Sequence, residues 1–140
     1  MWAVLPLLGL PVIVYNVIAA FWLERGLHGD ARARFGDALF HVHMTSHGDW
    51  PVSLGDVLVA GALAVLFIEL LKSTTSRHIA IINHSLSMIL FIGCLVEFLL
   101  LPAFATSAFF LITAMVLLDV LAGFIVTIAA SRREVDVVGR

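Results

Sequence analysis

Four apolar stretches dominate this chain, and each reaches the length of a bilayer-crossing helix. They run roughly over Trp2–Trp22, Gly55–Leu71, Ile79–Leu101 and Ala105–Ala130. A span takes ~20 helical residues, and backbone amides cannot be left unpaired in hydrocarbon, so each stretch is expected to be α-helical. Composition agrees. Hydrophobic residues make up 61% of the 140 and charged residues 13%, against about 45–50% and about 25% in a soluble domain. A soluble fold of this size has too little interior for so much apolar surface. The sequence therefore predicts one integral membrane domain over residues 1–140. It excludes a soluble enzyme, a nucleic-acid binder and a disordered tail. The net charge of -2, with 8 basic residues, offers no polybasic face for phosphate.

The first stretch differs from a secretion signal. No Lys or Arg precedes it, and its apolar run exceeds the ~7–15 residues of a signal core. It is expected to be a retained helix, kinked or loosened at Pro6 and Pro11 with Gly9 between them. Orientation follows from the basic residues. Lys72 and Arg77, with Arg132, Arg133 and Arg140, place five on one side; Arg25, Arg32 and Arg34 place three on the other. Both termini are thus expected on the cytoplasmic side. Trp2, Trp22 and Trp50 fall at expected interfaces, where indoles sit between headgroups and tails.

The segment 23–53 is expected outside the membrane, on the extracytoplasmic face. Its first half is polar, with Gly26, Gly29 and Gly36. In its second half Phe40, Val42 and Met44 alternate with His41 and His43, the period of a strand. His47-Gly48-Asp49 signals a turn, and Trp50-Pro51-Val52 suits a returning edge strand. A short β-hairpin between helices one and two follows. Ser53 and Asp56 have the spacing of a capping box for helix two, with Asp in place of Glu or Gln. The fold class is an all-α membrane protein: a four-transmembrane-helix bundle with a short extracytoplasmic hairpin.

The strings Pro11-Val-Ile-Val-Tyr15-Asn16, Leu54-Gly-Asp56 and Leu95-Val-Glu97-Phe98-Leu99 resemble a group of small uncharacterised four-helix proteins of the bacterial inner membrane. The resemblance implies a similar fold and a multi-pass location in the bacterial cytoplasmic membrane. It implies no activity.

Ionisable groups inside a membrane are the informative ones, since each costs ~2.5–3.5 kcal/mol or more at the bilayer centre. Glu69, Glu97 and Asp119 fall within the expected spans, with Asn16, Asn83 and His84. At ~1.5 Å per residue they sample three depths: Asn16 and Glu97 toward the outer surface, Asp119 near mid-span, Glu69 and His84 toward the inner surface. Such a staircase is what a proton relay or cation path requires. On helix three, Asn83, Ser87, Cys94 and Glu97 share a stripe of roughly 80° at ~100° per residue, expected to face inward. Gly123, one turn from Asp119, would let a neighbour approach the carboxylate. Each group also has a quieter role open to it. Glu69 can pair with Lys72 near the surface, Glu97 can bond to Asn16 or reach outward, and His84 can bond locally beside Asn83 and Ser85. Asp119 has no basic residue nearby in its own helix and must be protonated, bonded to a polar partner or wet.

A second candidate is a metal site in the hairpin. His41 and His43 point to one face of a strand, with His47 across the turn as a third ligand. Imidazole suits zinc, copper or nickel, and Met44 leans toward copper(I). The single cysteine, Cys94, excludes an internal disulfide and a CxxC redox pair. Histidines at one depth on two helices, as haem would want, are missing. No Ser-His-Asp set, phosphate loop or zinc-protease motif is present. The chain is expected to be no enzyme and to carry no cofactor.

Three functions remain open. The first is a small oligomeric channel or transporter for protons or cations. Its ion or proton path would use Glu69, Glu97 and Asp119, with Asn16 and His84 as relays. The second is an accessory or assembly subunit of a larger membrane complex. The third is a periplasmic metal-binding protein built on His41, His43 and His47. The expected partners are the lipid bilayer and either further copies of the chain or a larger membrane complex.

Overall fold

The computed structural model describes residues 6–25, 31–73 and 77–138. Trp2, Gly26, Gly29 and Arg140 lie outside the described residues. The chain is mostly helical, in the order α1 (Gly9–Glu24), α2 (Ala31–Arg34), β1 (Ala38–His43), β2 (Asp49–Ser53), α3 (Leu54–Ser73), α4 (Arg77–Leu100), a 3-10 turn (Pro102–Phe104) and α5 (Ser107–Val138). Among the described residues three helices are long and apolar enough to cross a membrane, namely α3, α4 and α5.

The first apolar stretch is the exception. Its helix starts at Gly9, after a turn at Leu7 and Leu8, and has 16 residues. At ~1.5 Å per residue it is about 24 Å long, short of the ~30 Å hydrocarbon core. The loosened turn expected at the prolines is present, the Gly9 and Leu10 N–H groups donating three residues back to the Pro6 and Leu7 carbonyls at 3.0 and 2.9 Å, and neither proline stands in the helix interior. Pro6 precedes the helix and Pro11 lies in its first turn, where the missing N–H has no helical acceptor to lose.

Helix α5 packs along both α3 and α4, which meet each other far less, and α1 lies lightly against all three. The order α3–α5–α4 makes the last helix the central one. Leu8, Val12, Tyr15, Ala62, Leu66, Cys94, Ile112 and Val116 form its core. Phe67, Leu71, Ile89, Leu99, Phe124 and Ile125 are more than half exposed on the outer faces. A bundle with apolar residues outside and polar residues inside suits lipid as the surrounding solvent.

Strands β1 and β2 pair antiparallel, with Val42 opposite Trp50 and His43 opposite Asp49. The turn holds His47 at φ 62°, a left-handed conformation that non-glycine residues adopt in few places. Asp56 and Ser53 form the reciprocal cap. The Asp56 N–H donates to Ser53 Oγ at 3.1 Å, and the Ser53 N–H donates to Asp56 Oδ2 at 2.9 Å.

The polar half of the loop contains an element the sequence did not suggest. The single turn of α2 carries Phe35 into the bundle, where the ring is 2% exposed. Phe35 stacks on Tyr15 with centroids 3.9 Å apart and meets Trp22 edge-on at 4.9 Å. Its carbonyl accepts the Gly55 N–H at 2.9 Å. A Cβ at Gly55 would stand 3.0 Å from that carbonyl oxygen and 3.1 Å from Ala108 Cβ, so glycine is what allows the loop to close down here.

Candidate functional site: a buried polar cluster between α3, α4 and α5

Helix α4 presents Asn83, His84 and Ser87 inward, and all three are buried among apolar neighbours. Glu69 faces them from α3 and Asp119 from α5, both 0% exposed. The two carboxylates are equally hidden but differently served. Glu69 Oε2 accepts the Leu7 N–H at 2.8 Å, and Oε1 accepts from Asn83 Nδ2 and pairs with Lys72 Nζ at 3.0 Å. Leu7 leads into α1, whose first-turn N–H groups carry positive partial charge. Glu69 thus closes the buried end of one helix, neutralises a lysine and joins a third helix.

Asp119 is only half served. Ser87 donates to Oδ2 at 2.6 Å, while buried Oδ1 has no hydrogen-bond partner among the described residues. His84 Nδ1 lies 3.8 Å from that oxygen, beyond the ~2.7–3.2 Å of a hydrogen bond. Among the described residues neither His84 nitrogen has a hydrogen-bond partner, nor does Asn83 Oδ1. Four buried polar atoms without partners would each cost ~1–3 kcal/mol if left so. Two of them, His84 Nδ1 and Asp119 Oδ1, face each other across the α4–α5 contact.

The imidazole owes its position to Gly123. A Cβ on that residue would collide with Cγ, Cδ2 and Nδ1 of His84, so the ring occupies the space of the missing side chain.

Glu97 and Asn16 form a separate contact. Asn16 Nδ2 donates to Glu97 Oε2 at 3.1 Å and to the Val12 carbonyl at 3.1 Å. On α4, Glu97 lies 10 residues beyond Ser87, about 15 Å along the axis. Cys94, Ile112, Met115 and Val116 are buried in the core. Two levels are occupied rather than the three the spacing suggested, because Asp119 stands beside His84. Helices α4 and α5 form a hairpin about Leu101–Pro102. His84 lies 17 residues before Leu101 and Asp119 17 residues after Pro102, and equal chain lengths from a turn bring antiparallel helices to equal depth.

At the end of the bundle nearer the hairpin Tyr15, Phe35, Phe104 and Phe109 pack ring to ring. The Tyr15 hydroxyl meets the Thr106 hydroxyl at 2.7 Å, and Thr106 Oγ1 accepts the Phe109 N–H at 3.1 Å, capping α5. A cleft of about 300 Å³ opens nearby, lined by Arg32, Ser53, Asp56, Thr106 and Leu111 among others; no residue of the polar cluster lines it.

In the hairpin His43 pairs with Asp49 through Nδ1, on an exposed face. The strand period puts His41 on that face too, while His47 sits in the turn. Among the described residues no group of three or more His, Cys, Asp or Glu is gathered to hold a metal.

Ser87, Lys72 and Gly123 complete the cluster, although the sequence reading gave them no place in the ion path. The signals for them are the i, i+4 spacings of Asn83 and Ser87 and of Asp119 and Gly123, and the i, i+3 spacing of Glu69 and Lys72. No protein-family model, curated protein or solved structure matches the chain.

Proposed function

We propose that this chain is a small membrane transport protein for protons or cations, with Asp119 as its ion-binding carboxylate. The observation that carries this is the state of Asp119. It is fully buried in a helix long enough to span a membrane, with one oxygen unpartnered and an imidazole of equal need beside it. Intramembrane acids of this kind are costly and mark ion pathways. Glu69 and Glu97, each already bonded, hold helices in place around the site. In this proposal α1 is a fourth span, both termini are cytoplasmic and the membrane is the bacterial inner membrane. Support comes from the apolar run ahead of α1, the bias of basic residues and the likeness of the three strings. Four helices enclose no pore alone, so an aqueous path would form between copies of the chain or against a larger partner.

Asp119→Asn keeps size and the bond from Ser87 but removes the charge. Its expected effect is loss of ion flux in proteoliposomes, about tenfold or more, with the helical content unchanged. Flux equal to wild type removes Asp119 from the path.

The bonded states of Glu69 and Glu97 favour a second reading, an assembly subunit whose acids lock helices together. Co-purification with a stoichiometric partner, and no flux from the isolated chain, would select it.

A further inference from the structure

We infer that the ion taken at this site is a proton, shared between the His84 imidazole and the Asp119 carboxylate, with Gly123 supplying the room that sets the ring beside the acid. This deepens the transport reading of the same site by naming its ion.

The ligand inventory favours the proton. A hard cation such as calcium takes 6–8 oxygens, and magnesium about six. The cluster offers two unpartnered oxygens, Asn83 Oδ1 and Asp119 Oδ1. The Glu69 oxygens are taken up by Leu7, Asn83 and Lys72. Zinc or copper would want three or four nitrogen, sulfur or oxygen ligands, and no such group is gathered among the described residues. Among the described residues the charged groups facing the pair are few. From α3 come Glu69 and Lys72, paired with one another, and from α4 comes His84 itself; the Leu7 N–H, ahead of α1, is taken up by Glu69. With the ammonium neutralised by Glu69, what is left for a ligand is one imidazole and one carboxylate, a pair that binds one proton well.

The step balances simply. With a proton on His84, the Nδ1–H bond breaks and an O–H bond forms on Asp119 Oδ1, converting an imidazolium–carboxylate pair into two neutral groups. The reverse step restores the ion pair. At 3.8 Å the ring must advance by roughly 1 Å to reach bonding distance. Gly123 is what lets the ring stand this close to the acid in a close-packed interior. A methyl group at residue 123 would take the ring's place.

The test is infrared difference spectroscopy of the full chain in lipid nanodiscs, acid minus alkaline. The carboxyl band is assigned by its loss in Asp119→Asn and the imidazole band by its loss in His84→Gln. In wild type the two bands are expected to change over one pH interval, because they belong to one coupled pair. In Gly123→Ala they are expected to change independently. Should that variant fail to fold, His84→Gln serves instead: the Asp119 carboxyl band then moves by about tenfold or more in proton concentration. Sodium or potassium chloride added at fixed pH leaves the wild-type bands unchanged. Bands that titrate independently in wild type, or a carboxyl band discharged by sodium, overturn the inference. Coupled bands in a protein that moves no ion in vesicles would support the shared proton and end the transport reading.

Discussion

Glu69 and Asp119 show why burial alone does not assign a role. Both are fully hidden, yet one has three partners and the other a single hydroxyl. The first is a lock. Removing it leaves Lys72 without its 3.0 Å counter-ion, and Asn83 and the Leu7 N–H without an acceptor. Truncating one partner of a buried pair costs about 3–5 kcal/mol. Glu69→Ala is therefore expected to lower unfolding stability in detergent micelles by about that much, whereas Asp119→Asn, which keeps its bond from Ser87, costs less. Denaturant titration of both variants checks the order; equal stabilities would mean that the lock lies elsewhere. The sequence identified both acids by their depth in apolar runs. Their division of labour was not legible, because it depends on which helix faces which. Asp119 and His84 could have been paired from their equal distance to the α4–α5 turn. Depth counted within each span separately hid that match.

At the scale of elements, the long periodic segments were legible and the aperiodic ones were not. Helices α3, α4 and α5 begin within two residues of the expected spans, α5 running on well past its apolar part, and the hairpin and its Ser53–Asp56 cap form as the alternation and spacing suggest. Helix α2 has four residues, too few to show a period, and Phe35 is a lone aromatic among polar neighbours. Its partner Tyr15 lies 20 residues earlier, a pairing that only the folded chain makes. Phe35 nonetheless ties the loop to the bundle by burying its whole ring. Deleting a buried Phe side chain costs about 3–5 kcal/mol. Phe35→Ala is expected to release the loop and shift Trp22 emission to the red, since that indole packs edge-on against the lost ring. Phe40→Ala, whose ring is half exposed in the hairpin, is expected to leave the emission unchanged. A red shift of the same size in both variants would deny Phe35 its anchoring role.

For the whole molecule the decisive feature is the arrangement α3–α5–α4, which puts the last helix at the centre and aims Asp119 at α4. Helix α1 stands apart. Its entry at Leu7 is bonded to Glu69, 16 residues along α3 from Ser53 and so about 24 Å from that helix's start. Its later residues reach Phe35 and Thr106 at the opposite end through Tyr15 and Trp22. In the four-span proposal this places the start of α1 near the inner surface. The proposed four-span reading rests on the bias of basic residues, which would put both termini on one side and so require an even number of crossings, with α1 as the fourth. Single cysteines in a Cys94→Ser background, probed in sealed vesicles with a membrane-impermeant maleimide, decide the point. Ser46→Cys in the hairpin turn should label from one side, and Ala3→Cys and Ser131→Cys from the other. Labelling of Ala3→Cys from the same side as Ser46→Cys would leave three crossings, set the termini on opposite faces and make α1 a helix that lies against the bundle without traversing the bilayer.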